Sequence, residues 1–573
     1  MTYLRSERDI ETALLLSSGL SEEEEFDSDT EFSSASAQES EHDTCSDQDI
    51  SDSETEYTTV TNDNFLTGKD RVTKWSTSEP RRNVRTPVHN IVSQAAGFKG
   101  NKNDINSLLD CFDIIFDENI CHIIVNSTNI KLAEKAQNYS RERDAKPTDE
   151  SEIRCLIGLL FYLGANKSGR QNLKDMWDQD GLGVEIFRAS MNYQRFKLLL
   201  QCLRFDDIRD RENRRKTDKL APIRKVFEMF IRKFEQLYNI GEFATVDKQL
   251  VPFRDRCSFR QYLPNKPAKY GIKIFALVDA TVYYTQKMEV YLGIQPDGPF
   301  RVDNSPKEVV KRIVSPILGT GRNITVDNWF MSVPLLEDLL LRKLTIVGTI
   351  RKNKAELPLE IVFVKNRDEY SSIFLFRKNM TLMSYIPKKK KNVLMISSMH
   401  SDISIDPTTG EKKKPEMISF YNSTKGGVDT VDEMCATYSV ARNTRRWPMV
   451  VFYHLMNTLG INAFVIFRNL HPEIKTNRRT FLREIAKGLT KPFIAQRSTQ
   501  KILPKEFRKT LEKYGEPSIS EPQEKRRRGS GRCVICPRAK DIKTKLFCEI
   551  CERNMCASHM LKVCSECLEN IKK

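Results

Sequence analysis

Eight residues near the C-terminus carry metal-ligand chemistry at regular spacing: Cys533, Cys536, Cys548, Cys551, Cys556, His559, Cys564 and Cys567. They fall into C-x2-C, C-x2-C, C-x2-H and C-x2-C knuckles. Four such pairs are the ligand complement of two tetrahedral Zn²⁺ sites, because each ion takes four N or S donors and each knuckle supplies two. The chain has 14 Cys and 7 His in all, so random placement rarely gathers eight of them this way. A disulfide framework is the competing reading, and it requires an oxidising compartment. The first residues, MTYLRSERDIETALLLSSGL, contain no long apolar run and do not read as a signal peptide. Reduced cysteines in the cytosol or nucleus, holding zinc, are therefore expected.

Zinc binding can organise only a small part of a chain of 573 residues, and three or more units are expected. The formal charge of +15 conceals an asymmetry. Residues 1–64 hold 19 Asp and Glu against two Arg, a net of −17, which leaves +32 on the remainder. Such an excess suits a polyanionic partner, and nucleic acid is the expected one. The most apolar stretch, Trp447–Leu470, is interrupted by His454, Asn457, Thr458 and Asn462, so a buried helix is expected there and no membrane partner.

Composition and periodicity divide the chain further. Residues 1–91 read as a disordered acidic region and linker, since the Ser/Asp/Glu/Thr-rich stretch offers too little apolar surface to offset the entropy of ordering. Residues 92–242 repeat apolar positions at helical spacing, as in IRCLIGLLFYLG and IRKVFEMFIRKFEQLY. From 243 to 352 the runs FATVD, KYGIKIFALVDA, VYYTQKMEVYLG, NITVD and LTIVGTI are short and β-prone, the pattern of a mixed sheet. Residues 353–418 are lysine-rich and broken by Pro387, Pro407 and Pro415, which suggests an inserted, irregular subdomain. Residues 419–440 return to the sheet region, 441–515 are helical, 516–532 form a basic linker with Lys525–Arg528 as a possible nuclear import signal, and 533–573 hold the zinc ligands.

Two acidic residues end β-like runs, Asp247 in TVDKQL and Asp327 in ITVDNWF, and Asp429 in KGGVDTVDEM opens a helical run behind two glycines. A carboxylate leaving a buried strand is desolvated, and a divalent cation compensates for that well. Three converging carboxylates would hold two Mg²⁺ ions roughly 3.5–4 Å apart and support phosphoryl transfer. Asp432, three residues beyond Asp429, shares its helix face. Taken singly, each aspartate also fits a turn or helix cap.

The runs VDKQLVPFRDRCSFRQYLPNKPAKYGIKIFALVD, GRNITVDNWFMSVPLLEDLL, LTIVGTIRKNK and FYNSTKGGVDTVDEMCATYSVARNTRRWPM resemble the piggyBac transposases and the cellular proteins derived from them. The similarity runs from about Asp104 to the C-terminus. It implies that Asp247, Asp327 and Asp429 form the catalytic triad of an α/β RNase H-like core carrying an insertion, with Asp432 at a further acidic position. A split all-α dimerisation and DNA-binding domain would flank that core, and a cross-braced double-zinc domain would follow. It also implies a nuclear homodimer that excises an element through hairpin ends and inserts it at TTAA. One departure is visible: the family usually has an acidic residue after its first aspartate, and this chain has Lys248. Because side chains alternate along a strand, Lys248 is expected to point away from Asp247 and need not touch a metal.

Arg254, Arg256, Arg260, Lys266 and Lys269 flank Phe253, Phe259 and Tyr262, a mixture suited to phosphate contact and base stacking. Arg351, Lys352 and Lys354 follow a strand, and the resemblance associates Arg351 and Lys354 with target DNA. Trp329 and Trp447 read as core. In a cross-braced zinc domain one ion would take Cys533, Cys536, Cys556 and His559 and the other Cys548, Cys551, Cys564 and Cys567, with sequential pairing as the alternative. A ubiquitin-ligase RING has its single His as fourth ligand, whereas His559 is sixth. Lys540, Lys543, Lys545, Arg553 and Lys562 would contact phosphate. The readings that remain are an active transposase, a domesticated DNA-binding or chromatin protein that does not cut, and a zinc-dependent protein adaptor that would not need the aspartates.

Overall fold

The computed structural model describes residues 38–39, 64–80, 91–92, 94–181, 183–264, 266–499, 505–515, 530–546 and 553–560. The chain divides into two compact units, Met1–Gly515 and Glu516–Lys573. Most of the acidic segment expected to be disordered lies outside the described residues; Gln38–Glu39 form a two-residue strand beside Gln261–Tyr262.

The end of that N-terminal region is ordered, contrary to the expectation for residues 1–91. Strands β1 (Phe65–Thr67) and β2 (Lys74–Ser76) form a hairpin. Its turn is tied by Asp70, whose carboxylate accepts hydrogen bonds from the backbone N–H groups of Val72 and Thr73. Trp75 is fully buried, and its Nε1 donates to the Glu356 carbonyl at 2.8 Å. One large indole with a satisfied N–H is enough to anchor a short hairpin that the surrounding polar composition conceals.

Helices α1 (Leu108–Asp113), α2 (Glu118–Ala136), α3 (Glu150–Ala165), α4 (Glu185–Ser190), α5 (Tyr193–Cys202) and α6 (Arg224–Leu237) follow. Ser107, Asp117, Asp149 and Asn192 cap four of them by accepting from backbone N–H groups in the first turn. Phe112 packs on Phe116 and edge-on against Phe161, and Phe116 stacks on Phe230, which joins α1, α3 and α6.

The sheet region comprises β3 (Phe243–Pro252), β4 (Tyr270–Asp279), β5 (Thr285–Val290), α7 (Pro306–Ile313), β6 (Asn323–Val326), α8 (Val333–Leu341) and β7 (Thr345–Thr349). Strands β3, β6 and β7 run parallel, while β4 pairs antiparallel to β3, and β5 to β4. The lysine-rich segment is not irregular. Strands β8 (Ser372–Arg377), β9 (Met380–Lys388) and β10 (Lys391–Ser397) form an antiparallel meander whose β10 pairs with β7. Within it, Phe374, Phe376, Met383, Tyr385 and Met395 are buried. The lysine run occupies the β9–β10 turn, so its charge masks the alternation on either side. The sheet order is β5-β4-β3-β6-β7-β10-β9-β8-β2-β1.

After the meander come α9 (Glu416–Thr424), α10 (Gly427–Thr437), α11 (Trp447–Leu470) and α12 (Arg478–Ser498). Helix α12 returns to α3, where Gly158 leaves room for the Ala486 carbonyl and the Leu489 side chain. Among the described residues only α11 is long and apolar enough to cross a membrane; 89% of its most apolar window is buried inside the protein, as expected for a core helix.

Helix α10 begins against β3. A Cβ on Gly427 would stand 2.5 Å from Thr245 Oγ1 and 3.1 Å from Thr245 Cβ. Thr245 cannot retreat easily, since its Oγ1 donates to the Thr424 carbonyl at 2.6 Å. We expect Gly427→Ala to lower unfolding free energy by about 1–3 kcal/mol through overpacking. Adding Thr245→Ala should recover part of that loss in a double-mutant cycle read by denaturant unfolding.

Candidate active site and metal centre

Parallel register brings the first two carboxylates together. Val246 on β3 is level with Val326 on β6, so Asp247 and Asp327 emerge side by side where β6 ends and β3 continues. Asp327 Oδ1 accepts from the backbone N–H of Trp329 at 2.9 Å. Its Oδ2 accepts from Lys248 Nζ at 3.0 Å. The turn beyond is held by Trp329, which is 5% exposed and stacked on Phe275 with ring centroids 5.7 Å apart. Lys273 Nζ lies 5.0 Å from the Trp329 and Tyr291 rings and 5.1 Å from Phe275, a buried cation–π cluster that braces the same turn.

The other two carboxylates arrive on α10. Successive side chains on one face of β3 set their place: Thr245 packs against Gly427, Asp247 carries the first carboxylate, and Gln249 Nε2 donates to Asp432 Oδ1 at 2.8 Å. Gln249 Oε1 in turn lies 3.2 Å from His454 Nε2 on α11. Burial pulls His454 down to about 4, so a neutral imidazole can donate to that amide oxygen. Asp429 is more open, with its side chain 64% exposed, and accepts from Lys266 Nζ at 3.1 Å. The same ammonium is 4.0 Å from Asp432 Oδ2.

The cluster is short of positive charge at its centre. Burial, with the negative charge of Asp327, pushes the Asp247 carboxyl up to about 7. Burial likewise pushes Asp432 up to about 7. Burial opposes the charge on Lys266, yet Asp429, Asp247 and Asp432 together hold its ammonium above the ordinary lysine value. Asp247 Oδ1 is buried and has no hydrogen-bond partner. An orphaned, desolvated carboxylate oxygen with a second carboxylate on the adjacent strand offers the oxygen-donor chemistry that a hard divalent cation takes.

Three comparisons bear on this arrangement. A family model described as "Transposase IS4" matches residues 108–464. A cryo-EM structure of a piggyBac transposase synaptic complex with hairpin DNA superposes with a TM-score of 0.70 at 34% identity, covering 82% of this chain and 100% of that one. The chain belongs to the piggyBac transposase family. Two human relatives of this piggyBac-family chain are 21% identical to it. PiggyBac transposable element-derived protein 2 aligns over 71% of this chain and 69% of its own length; PiggyBac transposable element-derived protein 3 aligns over 61% and 59%.

Two lysines meet carboxylates that the sequence did not pair them with. Lys248 does leave β3 on the face opposite Asp247, but β6 stops at Val326, and no strand bars the long side chain from curling round the open end to Asp327. Lys266, expected on DNA, has its ammonium against Asp429. Arg254, Arg256 and Lys269 are exposed, while Arg260 donates to the Asp255 carbonyl at 2.9 Å. Phe253 and Phe259 are core, with Phe259 edge-on to Trp447, and Tyr262 packs on Tyr270. Arg351, Lys352 and Lys354 follow β7, parallel to β6, and so emerge at the edge of the sheet that carries Asp327. Gln249 and His454 were not singled out from the sequence; the period-two pattern Thr245, Asp247, Gln249 was the available signal for the first.

In the C-terminal unit the donor atoms of Cys533, Cys536, Cys556 and His559 all lie within 4.8 Å of one another. Cys536 Sγ is 3.6 Å from Cys556 Sγ and 3.4 Å from His559 Nδ1, and Cys556 Sγ is 3.3 Å from that nitrogen. A tetrahedron with Zn–S and Zn–N bonds of about 2.3 and 2.0 Å has edges of roughly this length, so the cluster can hold a metal such as zinc. The backbone amide of Cys556 holds the Cys533 thiol down at about 5, near the thiolate that a metal needs. Cys548, Cys551, Cys564 and Cys567 lie outside the described residues, as does Lys562.

The raised folded-state value of Asp247 has a definite sign. Between about pH 4, where the unfolded carboxyl ionises, and pH 7 the folded protein retains more protons, so this group lowers stability as pH rises. Asp247→Asn should therefore stabilise the metal-free protein by on the order of 2 kcal/mol at pH 7.5 and much less near pH 4.5, as measured by chemical unfolding at both pH values. Cys536→Ser should reduce bound zinc by about one ion per chain in elemental analysis.

Proposed function

We propose that this chain is a cut-and-paste DNA transposase acting at TTAA. The observation that supports the reading is the side-by-side placement of Asp247 and Asp327 on adjacent parallel strands, with Asp247 Oδ1 buried and partnerless and Asp429 joined to the same neighbourhood through Lys266. Two Mg²⁺ ions held by these three aspartates would supply activation of an attacking oxygen and stabilisation of the leaving oxygen. The strand order β5-β4-β3-β6-β7, with only the last three parallel, agrees with an RNase H-like core. In this reading water cleaves one strand at each end of the element, and the freed 3′ hydroxyl attacks the opposite strand. Each transesterification replaces one phosphodiester with another, so no nucleotide energy source is required. Water then opens the hairpin, and the 3′ ends join TTAA target DNA.

The chain's own residues shape that site. Gln249 and His454 orient Asp432 by direct hydrogen bonding and through the amide, and Trp329 fixes the turn that presents Asp327. Exposed Arg254, Arg256 and Lys269 offer phosphate contacts from the loop after β3, with Arg351 and Lys354 serving the target at the β7 edge. Two element ends must be held together, which calls for a homodimer acting in the nucleus. The C-terminal zinc unit reads the terminal repeats. A non-cutting DNA-binding descendant is the second reading, favoured by the Lys248–Asp327 ion pair at a position that a metal would use.

Excision of a marker flanked by the element's ends and TTAA separates the two. The intact protein should restore TTAA without a scar, and Asp327→Asn should reduce excision by about a thousandfold or more while leaving DNA binding in gel-shift assays intact. If the intact protein binds ends and excises nothing, the second reading replaces the first.

A further inference from the structure

Lys248 is 6% exposed, and its ammonium sits 3.0 Å from Asp327 Oδ2, one of the oxygens that the proposed cation site would use. On the other flank Lys266 is 3.1 Å from Asp429. Two resident ammonium groups thus engage different carboxylates of the cluster, while Asp247 Oδ1 is left without a hydrogen-bond partner. The two lysines differ in how they reach it. Lys266 lies on a loop and touches the more exposed carboxylates; Lys248 is carried by a central strand of the sheet and reaches round the end of β6.

We propose that Lys248 is a built-in competitor for Asp327, whose ammonium must leave the carboxylate before a divalent cation can be ligated there. The inference rests on the cation site under Proposed function. An ammonium and a divalent ion cannot share one carboxylate oxygen at contact distance without strong repulsion, and the attraction a buried pair gains in low dielectric must be surrendered when the ion binds. The site therefore takes its cation weakly, because each binding event must first displace the lysine. Lys248 acts through Asp327 and touches no reacting atom, so it is a positioning residue.

Manganese binding to the zinc-loaded, DNA-free chain, followed by the EPR signal of free Mn²⁺, tests this. Lys248→Met removes the charge at nearly constant shape and should tighten Mn²⁺ binding by about tenfold, whereas Lys248→Arg, which keeps a cation, should stay within about twofold of the native chain. In an Asp327→Asn background Lys248→Met should have no effect. If Asp327→Asn weakens Mn²⁺ binding but Lys248→Met matches the native affinity, the site stands and the competition is refuted. If neither Asp247→Asn nor Asp327→Asn alters Mn²⁺ binding, the cation site itself fails and the inference with it. A measurement on the native chain needs no variant to fold: saturating Mg²⁺ should increase acylation of Lys248, read by peptide mass spectrometry, and unchanged labelling would overturn the proposal.

Discussion

The level pairing of Val246 with Val326 on parallel strands is what the candidate site depends on. It brings Asp247 and Asp327 side by side where β6 ends, and there burial and the negative charge of Asp327 penalise the charge of Asp247. The neighbouring structure can be understood as a response to that cost. Lys248 pairs with Asp327 and Lys266 with Asp429, and backbone N–H groups of the following turn bind Asp327. Gln249 engages Asp432 before it can add a fully unpartnered fourth charge. One oxygen is left over, and it is the one a cation would satisfy.

Holding that arrangement in shape requires parts distant in sequence. Gly427 allows α10 to sit directly on Thr245, and without that close approach Asp429 and Asp432 would be carried away from β3. Helix α11 supplies His454 behind Gln249, while α12 locks against α3 at Gly158, so the second helical segment is packed on the first. Trp329, stacked on Phe275 and flanked by Lys273, anchors the opposite face of the sheet. The site is therefore the meeting place of the sheet and helices from both sides of it in the sequence. Membership of the piggyBac transposase family accords with this layout, and the human relatives are named as transposable element-derived proteins.

Much of this was legible beforehand for a physical reason. The aspartate that follows β6, a Gly-Gly ahead of a helical run and C-x2-C knuckles are local patterns that survive in sequence, whereas Asp247, read as ending its strand, lies in the middle of the ten-residue β3. Spacing supplied the knuckles and left their pairing open between cross-braced and sequential; the structure brings Cys533 and Cys536 together with Cys556 and His559. The β8–β10 meander was obscured because a lysine run in its turn and scattered prolines dominate the composition, although alternating buried residues flank them. The β1–β2 hairpin was hidden by its polar setting, since a single buried indole anchors it.

The sequence by itself determined which residues carry metal-ligand chemistry, where helix gives way to sheet, and that most of the chain is strongly basic, because residue type, period and charge are properties of the string. Only the tertiary structure decided the charge balance of the site. Strand alternation correctly sends Lys248 to the face opposite Asp247, but β6 is four residues long and β3 is ten, and that difference in length opens the route by which the ammonium reaches Asp327. Lys266 is separated from Asp429 by 163 residues, and no local pattern reports their contact. Contacts of that kind depend on where elements end and how they stack, quantities set by packing rather than by neighbouring residues.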